Sequence, residues 1–364
     1  MPYANTPNEA EARQRLRAFW NNDKLDRPAC LIQVRNPHYQ PTKSPFEHLS
    51  PKERDLIPEF HVWQATEARN AVIHMAESMP GFHNNWGSLL CTLPYLAGGD
   101  YEYHDSAWIK PIENLYDRPL PVFDPKSKRN QEIEACYRAM AEVVRGYGFI
   151  TPPLMLDGLT TLSMFRETHE LSIDLIERPD DVIAWSRALT RMYCEIYEYY
   201  WQLLQQLGVG GESLCFFGPM CEGRSEGVQC DFAVNLSPEM FERFVLPDLR
   251  TTTDYMDRSL YHHDGVCQRR FHDLLQRCPK LSGIQWNPEV PERDPLKWLD
   301  TLKDIRRRGF RLYVWASPEV AVELTRQLGP DGLFLSIGGM ESREAAEKTI
   351  RALESAARTY RAPL

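Results

Sequence analysis

The chain carries no Gly-rich phosphate loop, no Gly-x-Ser-x-Gly elbow, no His-Glu-x-x-His pair and no kinase signature. The chemistries those motifs serve are therefore disfavoured. Its nine cysteines, scattered from Cys30 to Cys278, form no Cys-x-x-Cys pair, and most read as reduced, buried small hydrophobes. Basic runs are missing too: 42 Lys and Arg face 51 Asp and Glu, for a formal charge of -9, which excludes nucleic acid as the expected partner. No stretch approaches the roughly 20 apolar residues that span a bilayer. The polar start MPYANTPNEAEARQRLRAF has no apolar signal core, so the expected location is the cytoplasm, with no membrane partner. An Asp-x-His-x-x-Gly corrinoid signature is likewise lacking.

What is present is an ordinary globular composition, 43% hydrophobic and 26% charged over 364 residues, enough to bury a large core. An amphipathic helix over 9–20 precedes the Arg27-Pro28 turn and an apolar strand from Ala29 to Val34. From Phe149 onward, short apolar runs alternate with helical segments: 149–156, 213–217, 259–262, 283–286, 311–314 and 333–335 read as strands, each followed by helix. A second helix is expected over 62–78, and 222–229 reads as a polar loop. Strands alternating with helices imply a parallel sheet, and about eight candidates suffice to close a barrel. The expected fold is α/β: one (β/α)8 TIM-type barrel domain over 1–364, with a helical extension over 1–25.

Two stretches carry a family resemblance. Gln229-Cys230-Asp231-Phe232 followed by Leu236 to Pro247, and then Tyr261-His262-His263-Asp264-Gly265, resemble segments of the uroporphyrinogen decarboxylase-like superfamily, the second being similar to its methyltransferase branch. Gly283 to Pro288 matches uncharacterised relatives. The resemblance covers about 150–350 and implies the barrel. It does not imply the decarboxylase reaction: that enzyme's catalytic aspartate falls on Ser88 or Leu89, its tyrosine on Phe165, its late histidine on Gly339, and its paired arginines find at best Arg35. The methyltransferase branch holds zinc through His-x-Cys and a later cysteine. Here the pair reads His262-x-Asp264 and the later position falls near Gly339, so only the histidine is retained.

Residues two apart on a strand share a face, so His262 and Asp264 converge if the strand reaches Asp264. Two jobs are open to them. They bind zinc or another divalent metal, completed by Glu289 or Cys267, or Asp264 orients His262 for general acid-base work. A bland alternative is a hydrogen-bonded His262 and a capping Asp264. Substrate contacts are expected from the loops after the strands: His83, Asn85 and Trp86; Asp157, whose alternative is a helix N-cap; Gln229 and Asp231; His263; and Gln285, Trp286 and Trp315, where a flat substrate can stack.

The resemblance thus points to a methyltransferase component that moves a methyl group from a small methylated molecule, a methoxyarene for example, to the corrinoid of a partner protein, with a homodimer left open. A non-porphyrin lyase or decarboxylase on the same barrel and a non-catalytic binding barrel are the alternatives. Substrate identity, methyl acceptor, metal and oligomeric state are not legible in the sequence.

Overall fold

In a computed structural model, residue 3 and residues 6–83, 91–104, 106–288 and 291–360 are described. The strands are β1 (Ala29–Arg35), β2 (Val72–Ala76), β3 (Gly81–Phe82), β4 (Tyr101–Tyr103), β5 (Ala107–Ile109), β6 (Phe149–Ile150) and β7 (Ser213–Leu214). They continue with β8 (Met220–Cys221), β9 (Ser225–Val228), β10 (Arg258–Asp264), β11 (Gly283–Asn287), β12 (Arg311–Ala316) and β13 (Leu333–Ile337). Seven of these form the central sheet, in the order β2-β1-β13-β12-β11-β10-β9. All its ladders are parallel except β1 with β2. Helices cross between the parallel strands, as an α/β sheet requires.

Three local expectations are corrected. The helix expected over 62–78 ends at Ala71, and Val72–Ala76 turns back as β2, antiparallel to β1; its β-branched start and apolar alternation fit a strand better than a helix. The run 149–156 yields only the two-residue β6, because Pro152 and Pro153 supply no N–H to a ladder. The polar stretch 222–229 contains β9, whose residues are all buried. Glu226 at its centre is 1% exposed, so its charge disguised a core strand as a loop.

Alternation along the strands separates two apolar layers. Ala29, Leu260, Tyr313 and Phe334 share one cluster with Phe149, Leu214, Met220 and, from the N-terminal helix Glu9–Asn21, Phe19 and Trp20. Intervening residues such as Tyr261, Ile284, Val314 and Leu335 belong to a larger cluster with the helices. Phe19 and Trp20 are 0% and 4% exposed, and Trp20 Nε1 donates to Met220 O at 2.8 Å. Burial of side chains this size stabilises by about 2–3 kcal/mol each. The N-terminal helix thus closes the end of the sheet where the strands begin, leaving the strands' C-terminal ends for chemistry.

Short strands β3, β6 and β7 lie beside one another. Gly81 pairs with Phe149, Ile150 N donates to Val209 O, and a Cβ on Gly81 would come 2.5 Å from Leu214. The hydrogen-bonded ladder among the described residues nevertheless ends at β2 and β9, rather than running as eight parallel strands. No helix among the described residues is long and apolar enough to cross a membrane.

Candidate functional site

Strand β10 persists to Asp264, so His262 and Asp264 do share a face. The parallel register then sets His262 beside Gln285 and Asp264 beside Asn287. His262 Nδ1 and Gln285 Oε1 are hydrogen-bonded, and Gln285 is fully buried. Since an amide oxygen only accepts, Nδ1 carries the proton and Nε2 is left as the lone-pair nitrogen. Asn287 Nδ2 approaches Asp264 Oδ1 at 3.5 Å. Glycine or alanine at either supporting position would release the ring or the carboxylate.

A third donor comes from the end of the neighbouring strand. After β9 the chain turns at Cys230 into a 3-10 helix starting at Asp231. The corner is held by Thr160 Oγ1, which accepts the Asp231 N–H at 3.0 Å and the Phe232 N–H at 3.3 Å. Asp231, His262 and Asp264 each offer one ligand atom, all within 4.8 Å of one another. Glu289, expected as the third ligand, lies outside the described residues. Cys267 is exposed and is not in this cluster. Cys230 is buried, and desolvation pushes its thiol well above the usual range, so it stays protonated.

His262 Nε2 lies 3.8 Å from Asp264 Oδ1, beyond direct hydrogen-bonding reach. Two donors that share a divalent ion at about 2.1 Å each sit roughly 3–4 Å apart. One imidazole and two carboxylates, with no thiolate, suit zinc or a harder divalent ion. On that geometry the donor set fits a metal better than a hydrogen-bonded His-Asp dyad.

The remaining expected contacts divide. Trp315, 44% exposed at the end of β12, stands over Tyr313 with Nε1 donating to its hydroxyl at 2.8 Å, and lines an open groove of ≈ 630 Å³ with Asn287 and Ser336. His83 follows β3; its ring lies 4.5 Å from that of Phe217, and desolvation lowers it to about 4. His263 and Trp286 face the other way. Their rings pack together at 4.9 Å, His263 on His272 and Trp286 on Trp298, at 0% and 2% exposure. Period-two alternation turns both rings toward the helices and away from His262, while Trp286 still lines one wall of the groove that holds Trp315. Gln229 lines a separate water-sized pocket of ≈ 20 Å³ with Asp157, Ser186 and Asp248. Asp157 caps the helix Gly158–Arg166, its Oδ1 accepting the Leu159 and Thr160 N–H groups at 3.0 Å. Asn85 and Trp86 lie outside the described residues.

Sequence reasoning overlooked Phe216. Its ring stacks on His262 at 4.5 Å between centroids and 21° between planes. Nothing in its apolar run distinguishes it from a core residue, and only the chain path at the tip of the β7–β8 hairpin places it there.

No protein-family model and no curated protein matches this chain. Among solved structures it is similar to a methyltransferase from Methanosarcina mazei, with a TM-score of 0.60 and 14% identity over 95% of this chain and 98% of that one. The likeness is one of fold: the α/β arrangement extends over nearly the whole of both chains.

Proposed function

We propose that this protein is a methyl-transferring enzyme of the uroporphyrinogen decarboxylase-like superfamily, a single barrel domain with its reaction centre at Asp231, His262 and Asp264. The observation that carries this reading is the three-donor cluster at the C-terminal ends of adjacent parallel strands, where α/β barrels keep their chemistry. The methyltransferase fold of the Methanosarcina mazei structure supports the class of reaction. So does the resemblance of the His262 segment to the methyltransferase branch.

In this reading a small methylated substrate, a methoxyarene by preference, lies against the exposed face of Trp315 with its ether oxygen toward the cluster. A divalent ion, when bound, would supply Lewis acidity to the ether oxygen and to the phenolate that the methyl group leaves behind. Asp231, Asp264 and His262 Nε2 would hold it, with Gln285 fixing the imidazole tautomer and Asn287 steadying the Asp264 carboxylate. Such outer partners are worth ten- to a hundredfold in metal affinity. The methyl group leaves to a nucleophile brought by a second molecule; a corrinoid carried by a partner protein enters here as a co-substrate. The 3.8 Å gap between His262 and Asp264 disfavours the metal-free version in which Asp264 hydrogen-bonds a general-acid His262.

The test is divalent metal per chain, by mass spectrometry on protein purified without chelator or affinity tag, in wild type, His262→Ala and Asp264→Asn. About one equivalent in wild type and its loss in both variants is the expected result. No metal in folded wild type, even after loading with zinc or manganese, would overturn the metal centre.

A further inference from the structure

The hairpin that carries Phe216 has an unusual tip. Strands β7 and β8 pair Leu214 with Met220, and Gly218 N donates to Cys215 O at 3.0 Å, closing a turn whose central residues are Phe216 and Phe217. Both are left-handed, with φ of 48° and 60°, the signs of a primed turn. Such turns take Asn-Gly or Gly-Gly because a bulky side chain there is strained. Phenylalanine twice in succession is the opposite choice. Strain of this kind persists where surrounding structure over-determines it, and it gathers at functional sites.

The surroundings do over-determine it. Gly227 has no side chain where a Cβ would come 2.6 Å from the Phe216 ring, and a Cβ on Gly218 would come 2.7 Å from Tyr313. Glu226, buried behind the tip, accepts the Gly227 N–H at 2.8 Å and also the Phe216 N–H. In front, the two rings diverge: Phe216 stacks on His262, and Phe217 lies on His83, each at 4.5 Å. His83 Nδ1 lies 3.0 Å from Thr151 Oγ1, which also reaches Pro152 O at 3.2 Å, so the His83 ring too is hydrogen-bonded at Nδ1. Each imidazole thus has a hydrogen bond at Nδ1 and one phenyl ring of the same strained turn against it, stacked on His262 and tilted by 55° against His83.

We infer that the Phe216–Phe217 turn is a positioning device for two histidines, with Phe216 fixing His262 for the reaction centre and Phe217 fixing His83. Phe216 and Phe217 are positioning residues; the backbone strain is tolerated because a relaxed Asn-Gly turn would present neither ring. The importance of His262 rests on the proposed function, but the positioning itself does not depend on a bound metal.

The test uses the full chain, metal-free, with ¹⁵N-labelled histidine rings assigned through His262→Gln and His83→Gln, and compares wild type with Phe216→Leu and Phe217→Gly. Wild type should show His262 with its proton on Nδ1. Phe216→Leu should broaden or mix the His262 tautomers and leave His83 unchanged; Phe217→Gly should do the reverse and raise Tm, since glycine accepts the left-handed φ. Manganese affinity, read by titration, should fall about tenfold in Phe216→Leu and stay unchanged in Phe217→Gly. If both variants disturb both rings, or neither ring moves, the positioning role is overturned. Should Phe216→Leu not fold, the Phe217→Gly pattern decides alone: a lower or unchanged Tm, or a disturbed His262, refutes it. A wild type that binds no manganese but shows the crossed tautomer pattern would sink the metal centre and keep this inference.

Discussion

Asp157→Asn separates a structural carboxylate from a substrate-binding one. Asparagine retains the Oδ1 acceptor that caps the helix Gly158–Arg166, so the change removes the titration and little else. Asp157 Oδ2 is buried without a hydrogen-bond partner, and burial raises the carboxyl from 3.8 to about 6 against the opposing pull of its hydrogen bonds. A folded-state value above the unfolded one means that the native state gives up its proton less readily. Its contribution is therefore intact below about pH 4 and is lost as pH rises through about 6. The gap between 3.8 and about 6 corresponds to about 3 kcal/mol at neutral pH, and roughly half of that develops between about pH 5 and 7.5. Urea unfolding of both proteins at those two pH values is the assay. The variant should gain about 1–2 kcal/mol on wild type between them, with metal content and substrate affinity unchanged. Parallel pH profiles, or a variant that folds normally and loses substrate, would refute the capping assignment and return Asp157 to the mouth of the sheet.

Two further perturbations test the core beneath the site. Glu226 is desolvated in β9, which pushes its carboxyl well above 4.5; Glu226→Gln should become progressively more stable than wild type as pH climbs from about 4.5 upward, and a pH-independent difference in Tm would mean that water reaches the carboxylate. Glu77 and Arg27, 1% and 4% exposed, pair through two hydrogen bonds of 2.7 and 2.8 Å beneath β1. Glu77→Gln leaves a buried guanidinium without its counter-charge and should cost about 3–5 kcal/mol in urea unfolding; a loss under about 1 kcal/mol would show the pair to be hydrated.

How far the sequence could be read depended on whether a signal was local. The strands from Arg258 onward were legible because short, largely apolar runs of three or four residues bounded by turns and alternating with helices have few other uses. Strand β9 was not: its own Glu226, with Glu222 and Arg224 just before it, imitates a loop, and only the pairing with β10 and the packing against the helix Pro179–Gln206, whose Tyr197 hydroxyl donates to Ser225 O at 3.0 Å, show Ser225–Val228 belonging to a sheet. His262 and Asp264 could be set on one face from strand periodicity alone. The same rule turns His263 and Trp286 away from His262, since His263 adjoins His262 and Trp286 adjoins Gln285; only the packed structure shows that Trp286 still borders the groove of Trp315.

The sequence by itself determined the alternation of strand and helix, the acidic charge, and the pairing of His262 with Asp264, because these follow from composition and from a period of two residues. Tertiary structure alone decided that Asp231, from the 3-10 turn after β9, completes the cluster, that Gln285 fixes the imidazole, and that two strained phenylalanines lie against the histidines. Those contacts join residues from 23 to more than a hundred positions apart. Their geometry is set by strand register and by the path of a hairpin, neither of which leaves a local trace in the chain.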